Sequence, residues 1–121
     1  MKYLVLYTDT EGESHFKDVE VEFELVNFAP PAPPVGLSSF IPASQLVFFK
    51  TPSGWYGDWH PAPKRQFFCC ISGEFELTAS DGQIRSIRSG EVLLLEDTAG
   101  KGHKSRVISK EDFIATVIQL A

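Results

Sequence analysis

Long apolar runs are missing from this sequence. No segment approaches the roughly 20 residues that a membrane-spanning helix needs. The stretch Tyr3–Tyr7 is apolar but short, and Asp9, Glu11 and Glu13 follow it at once, so it reads as a first β-strand rather than a secretory leader. Basic runs are missing too. Eleven Lys and Arg against 16 Asp and Glu leave a formal charge of −5, which gives no electrostatic reason to bind nucleic acid or anionic lipid. A cytoplasmic location is expected. Cysteine is confined to the adjacent pair Cys69 and Cys70. Neighbouring Cα atoms lie about 3.8 Å apart, less than the usual disulfide span of roughly 4.4–6.8 Å, and on a strand the two thiols point to opposite faces. A disulfide framework and a CxxC zinc site are both excluded. Sustained helical periodicity is absent as well; Lys110–Phe113 offers one short turn at most.

What is present is alternation. Val19-Glu20-Val21-Glu22-Phe23-Glu24-Leu25 alternates strictly, which predicts a half-buried strand with Val19, Val21, Phe23 and Leu25 facing the core. Further strands are predicted over Lys2–Thr8, Gln45–Lys50, Gln66–Ile71, Glu74–Ala79, Gln83–Ile87, Glu91–Leu95 and Phe113–Leu120, each rich in β-branched or aromatic residues. Asp81-Gly82 is a hairpin signal, because a primed turn needs positive φ; Ser72-Gly73 and Ser89-Gly90 mark further turns. A chain of 121 residues holds one domain. Short strands in close succession, with almost no helix, make it an all-β sandwich or barrel. Residues 1–34 are expected to form N-terminal strands and a Pro-rich arm, and 45–120 the core barrel. Phe28–Pro34, with its four prolines, cannot join a central strand. It reads as a stiff connector between an N-terminal hairpin and the barrel, ahead of a PxxP ligand for an aromatic groove.

Two spaced blocks carry the chemistry. The first is Gly54-(x5)-His60-x-Ala62-(x3)-Gln66-(x6)-Gly73, the second Gly90-(x5)-Glu96 running on to His103. Each proline in His60-Pro61-Ala62-Pro63 biases its predecessor toward extended backbone. His60, Ala62, Gln66, Phe68 and Cys70 therefore share an inward face by parity, with Phe67, Cys69 and Ile71 on the other. An apolar cavity with a few convergent polar groups is the usual anatomy of a ligand site. Asp58 and Lys64 have inward parity, Lys64 as a contact for an anionic ligand if it is not simply solvated, and Arg65 points outward. Glu96 and Asp97 end the apolar Val92–Leu95 run, where a carboxylate is usually a turn residue; near His103 either would orient the imidazole and set its tautomer. Trp55, Tyr56 and Trp59 either pack in the core or an interface, or stack on a flat or sugar-like ligand. Gly100-Lys101-Gly102-His103 lacks the strand–GxxxxGK[ST]–helix setting of a phosphate loop; its glycines let the chain turn so that His103 re-enters the barrel. No spacing supports a Ser–His–Asp or Cys–His nucleophile.

The two blocks resemble the paired motifs of the cupin superfamily, small jelly-roll barrels. The first family motif is G-x5-H-x-H-x3,4-E-x6-G; Gly54, His60 and Gly73 match it in register, while Ala62 and Gln66 stand in the second histidine and glutamate positions. The second is G-x5-P-x-G-x2-H-x3-N; Gly90 matches, Glu96 and Thr98 replace the proline and glycine, and His103 arrives two residues late. The likeness spans about Gln45–Ile118 and extends to small bacterial cupin-domain proteins of undefined role. It implies a cupin jelly-roll (double-stranded β-helix) with an N-terminal strand extension, and a small-molecule site inside the barrel at His60, Ala62, Gln66, Phe68, Cys70 and His103. It also implies a divalent metal (Zn, Fe, Ni or Mn) at His60, Gln66 and His103, or none, since the charged ligand and one imidazole of the family set are replaced. His60 and His103 are the catalytic candidates. The activities implied are ligand binding alone, a metal-dependent dioxygenase or isomerase, a metal-free sugar-epimerase-like enzyme with histidine as base, or a non-catalytic structural or regulatory role. The resemblance further implies a homodimer, with strand Tyr3–Tyr7 offering the edge that needs cover.

Overall fold

Alternation of period two is realised along most of the chain. The computed structural model describes residues 1–121 as twelve strands joined by turns, with no helix. They are β1 (Lys2–Thr8), β2 (Ser14–Glu20), β3 (Glu24–Val26), β4 (Val35–Leu37), β5 (Ala43–Thr51), β6 (Tyr56–His60), β7 (Gln66–Ser72), β8 (Phe75–Ala79), β9 (Ile84–Ile87), β10 (Val92–Leu95), β11 (His103–Val107) and β12 (Phe113–Leu120). Six form one sheet in the order β2-β1-β10-β7-β12-β5; four form a second, β6-β11-β8-β9; β3 and β4 make a separate ribbon. The N-terminal hairpin β1–β2 extends the larger sheet, β1 lying parallel to β10.

The core fills the space between the two sheets. It takes Leu4 and Leu6 from β1, Phe68 and Cys70 from β7, Phe75 and Leu77 from β8, Leu93 and Leu95 from β10, and Phe113, Ala115 and Val117 from β12. Phe113 is fully buried at the centre, its ring 4.5 Å from that of Phe75. The unbroken leucine run of β10 has a packing reason. Leu93 and Leu95 face the barrel, whereas Leu94 joins Val5 and Leu120 in a smaller cluster under Tyr3, Tyr7 and Phe67.

The strands expected over Lys2–Thr8 and Phe113–Leu120 are found at those bounds, and the other short strands differ at their ends by a residue or two. The hairpin at Asp81-Gly82 joins β8 to β9, with Gly82 at φ +94°. The strand expected over Val19–Leu25 does not form. β2 ends at Glu20, the amide of Val21 closes the ladder onto Met1 O at 2.8 Å, and the chain then leaves the sheet. Phe23 and Leu25, expected in the core, are exposed. Alternation marks a strand with two unlike faces, but it does not say whether the chain supplies anything to cover the apolar one. The Pro-rich segment is not a connector to the barrel; it is the loop between β3 and β4. Nor does Tyr3–Tyr7 present a free edge, because β1 is paired on one side with β2 and on the other with β10. The sheet ends instead at β2 and β5. No helix is long and apolar enough to cross a membrane.

Candidate functional site

His60 and His103 are direct cross-strand partners. His60 ends β6, His103 opens β11, and the antiparallel ladder pairs them. Side chains opposite one another on paired strands project to the same face, and here the ring centroids stand 4.6 Å apart, tilted by 56°. Gly102 permits this approach. It sits at φ +71°, and a Cβ on it would overlap the carbonyl of His60. Only a glycine lets the chain enter β11 so close to β6.

Each imidazole has one committed nitrogen. His103 Nδ1 donates to Asp97 Oδ2 at 2.6 Å, both side chains being buried, and His60 Nδ1 donates to the carbonyl of Asp58 at 2.6 Å. In both rings this leaves Nε2 free for another partner. Asp97 is the more unusual residue. It is wholly buried, and its Oδ1 has no hydrogen-bond partner. Burying a carboxylate in this way carries a large desolvation cost that one hydrogen bond does not fully offset.

The rings open on a cavity of about 310 Å³. Its polar lining is His60, His103, Gln66 and Ser105; its apolar walls include Phe49, Trp55, Phe68 and Leu95. Gln66 is held by a chain of amides: Gln45 Nε2 donates to Gln119 Oε1 at 2.6 Å, and Gln119 Nε2 to Gln66 Oε1 at 3.0 Å. With its oxygen so engaged, Gln66 has its NH₂ left as a donor. Trp55 stacks on Phe75 at 6.1 Å and closes one side of the cavity.

His60, Ala62, Gln66, Phe68 and His103 all line this one cavity. Cys70 does not reach it. The residue is buried in the core, with its thiol 3.6 Å from the carbonyls of Ser72 and Gly73, and burial, aided by Glu91, pushes its pKa up to about 11. Such a thiol is unreactive at neutral pH. Asp58, given inward parity, is exposed and accepts from the Trp59 amide at 2.8 Å. Lys64 is exposed, and Arg65 pairs with Glu96 across the barrel rim. Of the two carboxylates after β10, Asp97 is therefore the one that orients His103. Tyr56 and Trp59 are exposed, and only Trp55 of the three aromatics lines the cavity. Phe49, Leu95 and Ser105 were not anticipated. Their inward parity was readable, but nothing local placed them at this end of the barrel.

The three residues expected to hold a metal, His60, Gln66 and His103, share the cavity, but they are a weak donor set. Gln66 Oε1, the expected third donor, accepts from Gln119, Asp97 is engaged with His103, and no group of three or more His, Cys, Asp or Glu side chains could hold an ion. Two imidazoles and a neutral amide fall short of the three strong protein ligands usual for a catalytic zinc or non-haem iron site.

Two facing sheets closed around interior histidines define the architecture: the chain has the cupin fold, a double-stranded β-helix. It is similar to an RmlC-like cupin family protein with a double-stranded β-helix fold from Methanocaldococcus jannaschii, at 15% identity and a TM-score of 0.53, over 84% of this chain and 91% of that one. A cupin 2 conserved barrel domain protein from Salinispora arenicola matches at 16% identity and a TM-score of 0.51, over 84% and 76% of the two chains. An uncharacterized conserved protein with a double-stranded β-helix domain from Klebsiella pneumoniae matches at 22% identity and a TM-score of 0.50, over 62% and 64%. No protein-family model and no curated protein matches the sequence.

Proposed function

We propose that the protein binds a small organic molecule inside the barrel, between the aromatic wall at Trp55 and Phe68 and the polar group formed by His60, His103 and Gln66. The observation that carries this reading is the buried Asp97–His103 pair at the wall of the cavity. A carboxylate sealed from water to hold one imidazole in place adds little to stability, and it is a usual way to present a histidine to a ligand. A volume of about 310 Å³ is at the lower end of small-molecule sites, which limits the ligand to the size of a monosaccharide or a single substituted ring.

The same pair favours a second, catalytic reading over inert binding. With Nδ1–H donating to Asp97, His103 Nε2 can take a proton from a bound substrate, and Asp97 steadies the imidazolium that results. That is acid–base chemistry of the isomerase or epimerase kind, and it needs no metal.

A thermal-shift screen of sugar-derived and aromatic metabolites tests binding. The expected result is a compound that raises the melting temperature of the wild-type chain and not of His103→Asn or His60→Ala. Shifts of equal size in both variants would remove the cavity as the site. For proton transfer, a bound compound should exchange a C–H hydrogen with solvent deuterium, and exchange should drop at least about 100-fold in Asp97→Asn while binding persists. Absence of exchange in the wild type would leave binding alone.

A further inference from the structure

Six polar or charged residues are buried. Gln66, Asp97, His103 and Ser105 belong to the histidine site and its cavity, and Thr51 ends β5. Ser14, the first residue of β2, is the sixth, and it is wholly buried. A buried hydroxyl needs partners, and those of Ser14 lead toward His103. Its Oγ donates to the carbonyl of Gly102 at 2.7 Å and accepts from the amide of Ser80 at 2.7 Å. Ser80 returns the contact: its Oγ accepts from the Ser14 amide at 2.7 Å and donates to Glu13 at 2.6 Å. Both hydroxyl protons and both serine amides are therefore paired.

The bond to Gly102 acts on His103 through the backbone. The Gly102 carbonyl and the His103 nitrogen belong to one planar peptide unit. Fixing that carbonyl fixes the plane from which His103 hangs. The turn between β1 and β2 holds the rest of the same loop. Thr8 Oγ1 donates to Ala99 O at 2.9 Å, the Lys101 amide donates to Gly12 O at 2.9 Å, and the Lys101 side chain pairs with Glu13. The first hairpin thus grips residues 99–102 immediately before the histidine, and Gly102 lies against the carbonyl of His60. Asp97 holds the ring of His103; Ser14 holds its backbone.

We infer that Ser14 is a positioning residue for the histidine site: through Gly102, its hydroxyl sets where the His103 ring stands relative to His60. The inference rests on the proposed role of His103 as the group presented to a ligand. A preorganised site needs its side chains within about 0.5 Å of their productive places, and a ring fixed only at Nδ1 still shifts with its backbone. The β1–β2 hairpin is then part of the site as well as an extension of the larger sheet.

Ser14→Ala and Ser80→Ala each remove two hydrogen bonds from the serine pair, but only the first releases the Gly102 carbonyl. His15, bonded to Asp9 and Asp81, keeps the two turns together in both variants. The readout is the proton Overhauser effect between the His60 and His103 rings in the ligand-free chain, which falls steeply with distance. A displacement beyond the tolerance of a preorganised site should weaken it at least about 2-fold in Ser14→Ala, and Ser80→Ala should keep the wild-type value. An unchanged effect in Ser14→Ala overturns the inference. Equal loss in both variants overturns it too, because the serine pair would then be a general packing contact. If Ser14→Ala fails to fold, Ser14→Cys decides: its thiol is a weak donor, so the effect should weaken there, and a wild-type value sinks the proposal. No ligand enters the measurement. A failed ligand screen therefore removes the binding reading alone, and unmoved rings remove the role of Ser14 alone.

Discussion

Asp97 Oδ2 lies 2.6 Å from His103 Nδ1, in a pair of side chains 0% and 3% exposed. A carboxylate at the end of an apolar strand is usually a turn residue, yet Asp97 governs which nitrogen of His103 is free. Asp97→Ala leaves a buried ring N–H without an acceptor, and the expected loss is about 1–3 kcal/mol of stability by urea unfolding. The sharper readout is the imidazole ¹⁵N spectrum. His103 should be the Nδ1–H tautomer in the wild type and a mixture in the variant. An unchanged tautomer would show that Asp97 does not orient the ring.

Gly102→Ala and Gly82→Ala separate strain from collision. Both glycines have positive φ, but a Cβ at Gly82 meets open space whereas one at Gly102 overlaps the backbone of His60. Strain alone costs roughly 1–2 kcal/mol. Gly82→Ala should stay within that range, and Gly102→Ala should exceed it and separate the two histidines. Equal losses would mean that β6 and β11 are not tightly seated at this point.

His15 bridges two carboxylates, with Nε2 2.7 Å from Asp9 and Nδ1 2.8 Å from Asp81, tying the β1–β2 turn to the β8–β9 turn. Two such bonds require a proton on each nitrogen. The bond to Asp9, then that to Asp81, hold the His15 pKa above its ordinary 6.5. A raised pKa means that the stabilisation is complete below about 6.5 and is lost as pH rises through the folded value. The bond to His15 likewise lowers the Asp9 pKa beneath 3.8, so on the acid side the contribution fades only below that value. The melting temperature of the wild type relative to His15→Asn should therefore fall as pH rises above 6.5. A constant difference between the two across that range would show that the bridge contributes nothing.

Much of the barrel was legible because period two is a local property. β1 and β12 could be bounded from their own residues, and the parity of His60, Ala62, Gln66 and Phe68 placed them on one face. Asp81-Gly82 named its own turn. The pairing of β6 with β11 was not legible. Two motif blocks implied that the histidines converge, but no local pattern in Tyr56–His60 or His103–Val107 identifies the other as its partner. The division of labour between Glu96 and Asp97 was equally hidden, since adjacent carboxylates look alike until Arg65 claims one and His103 the other.

Val19–Leu25 shows the limit most clearly. Its alternation is as strong as any in the chain, yet the ladder stops at Val21 and Phe23 and Leu25 face solvent. By itself the sequence determined which residues form strands, where several turns fall, and which side chains share a face, because those follow from backbone sterics and from spacing along a few residues. Only the tertiary structure decided which strands are neighbours, which carboxylate serves His103, and which apolar faces stay uncovered. Those outcomes depend on contacts between residues far apart in the chain, and no short stretch contains both partners.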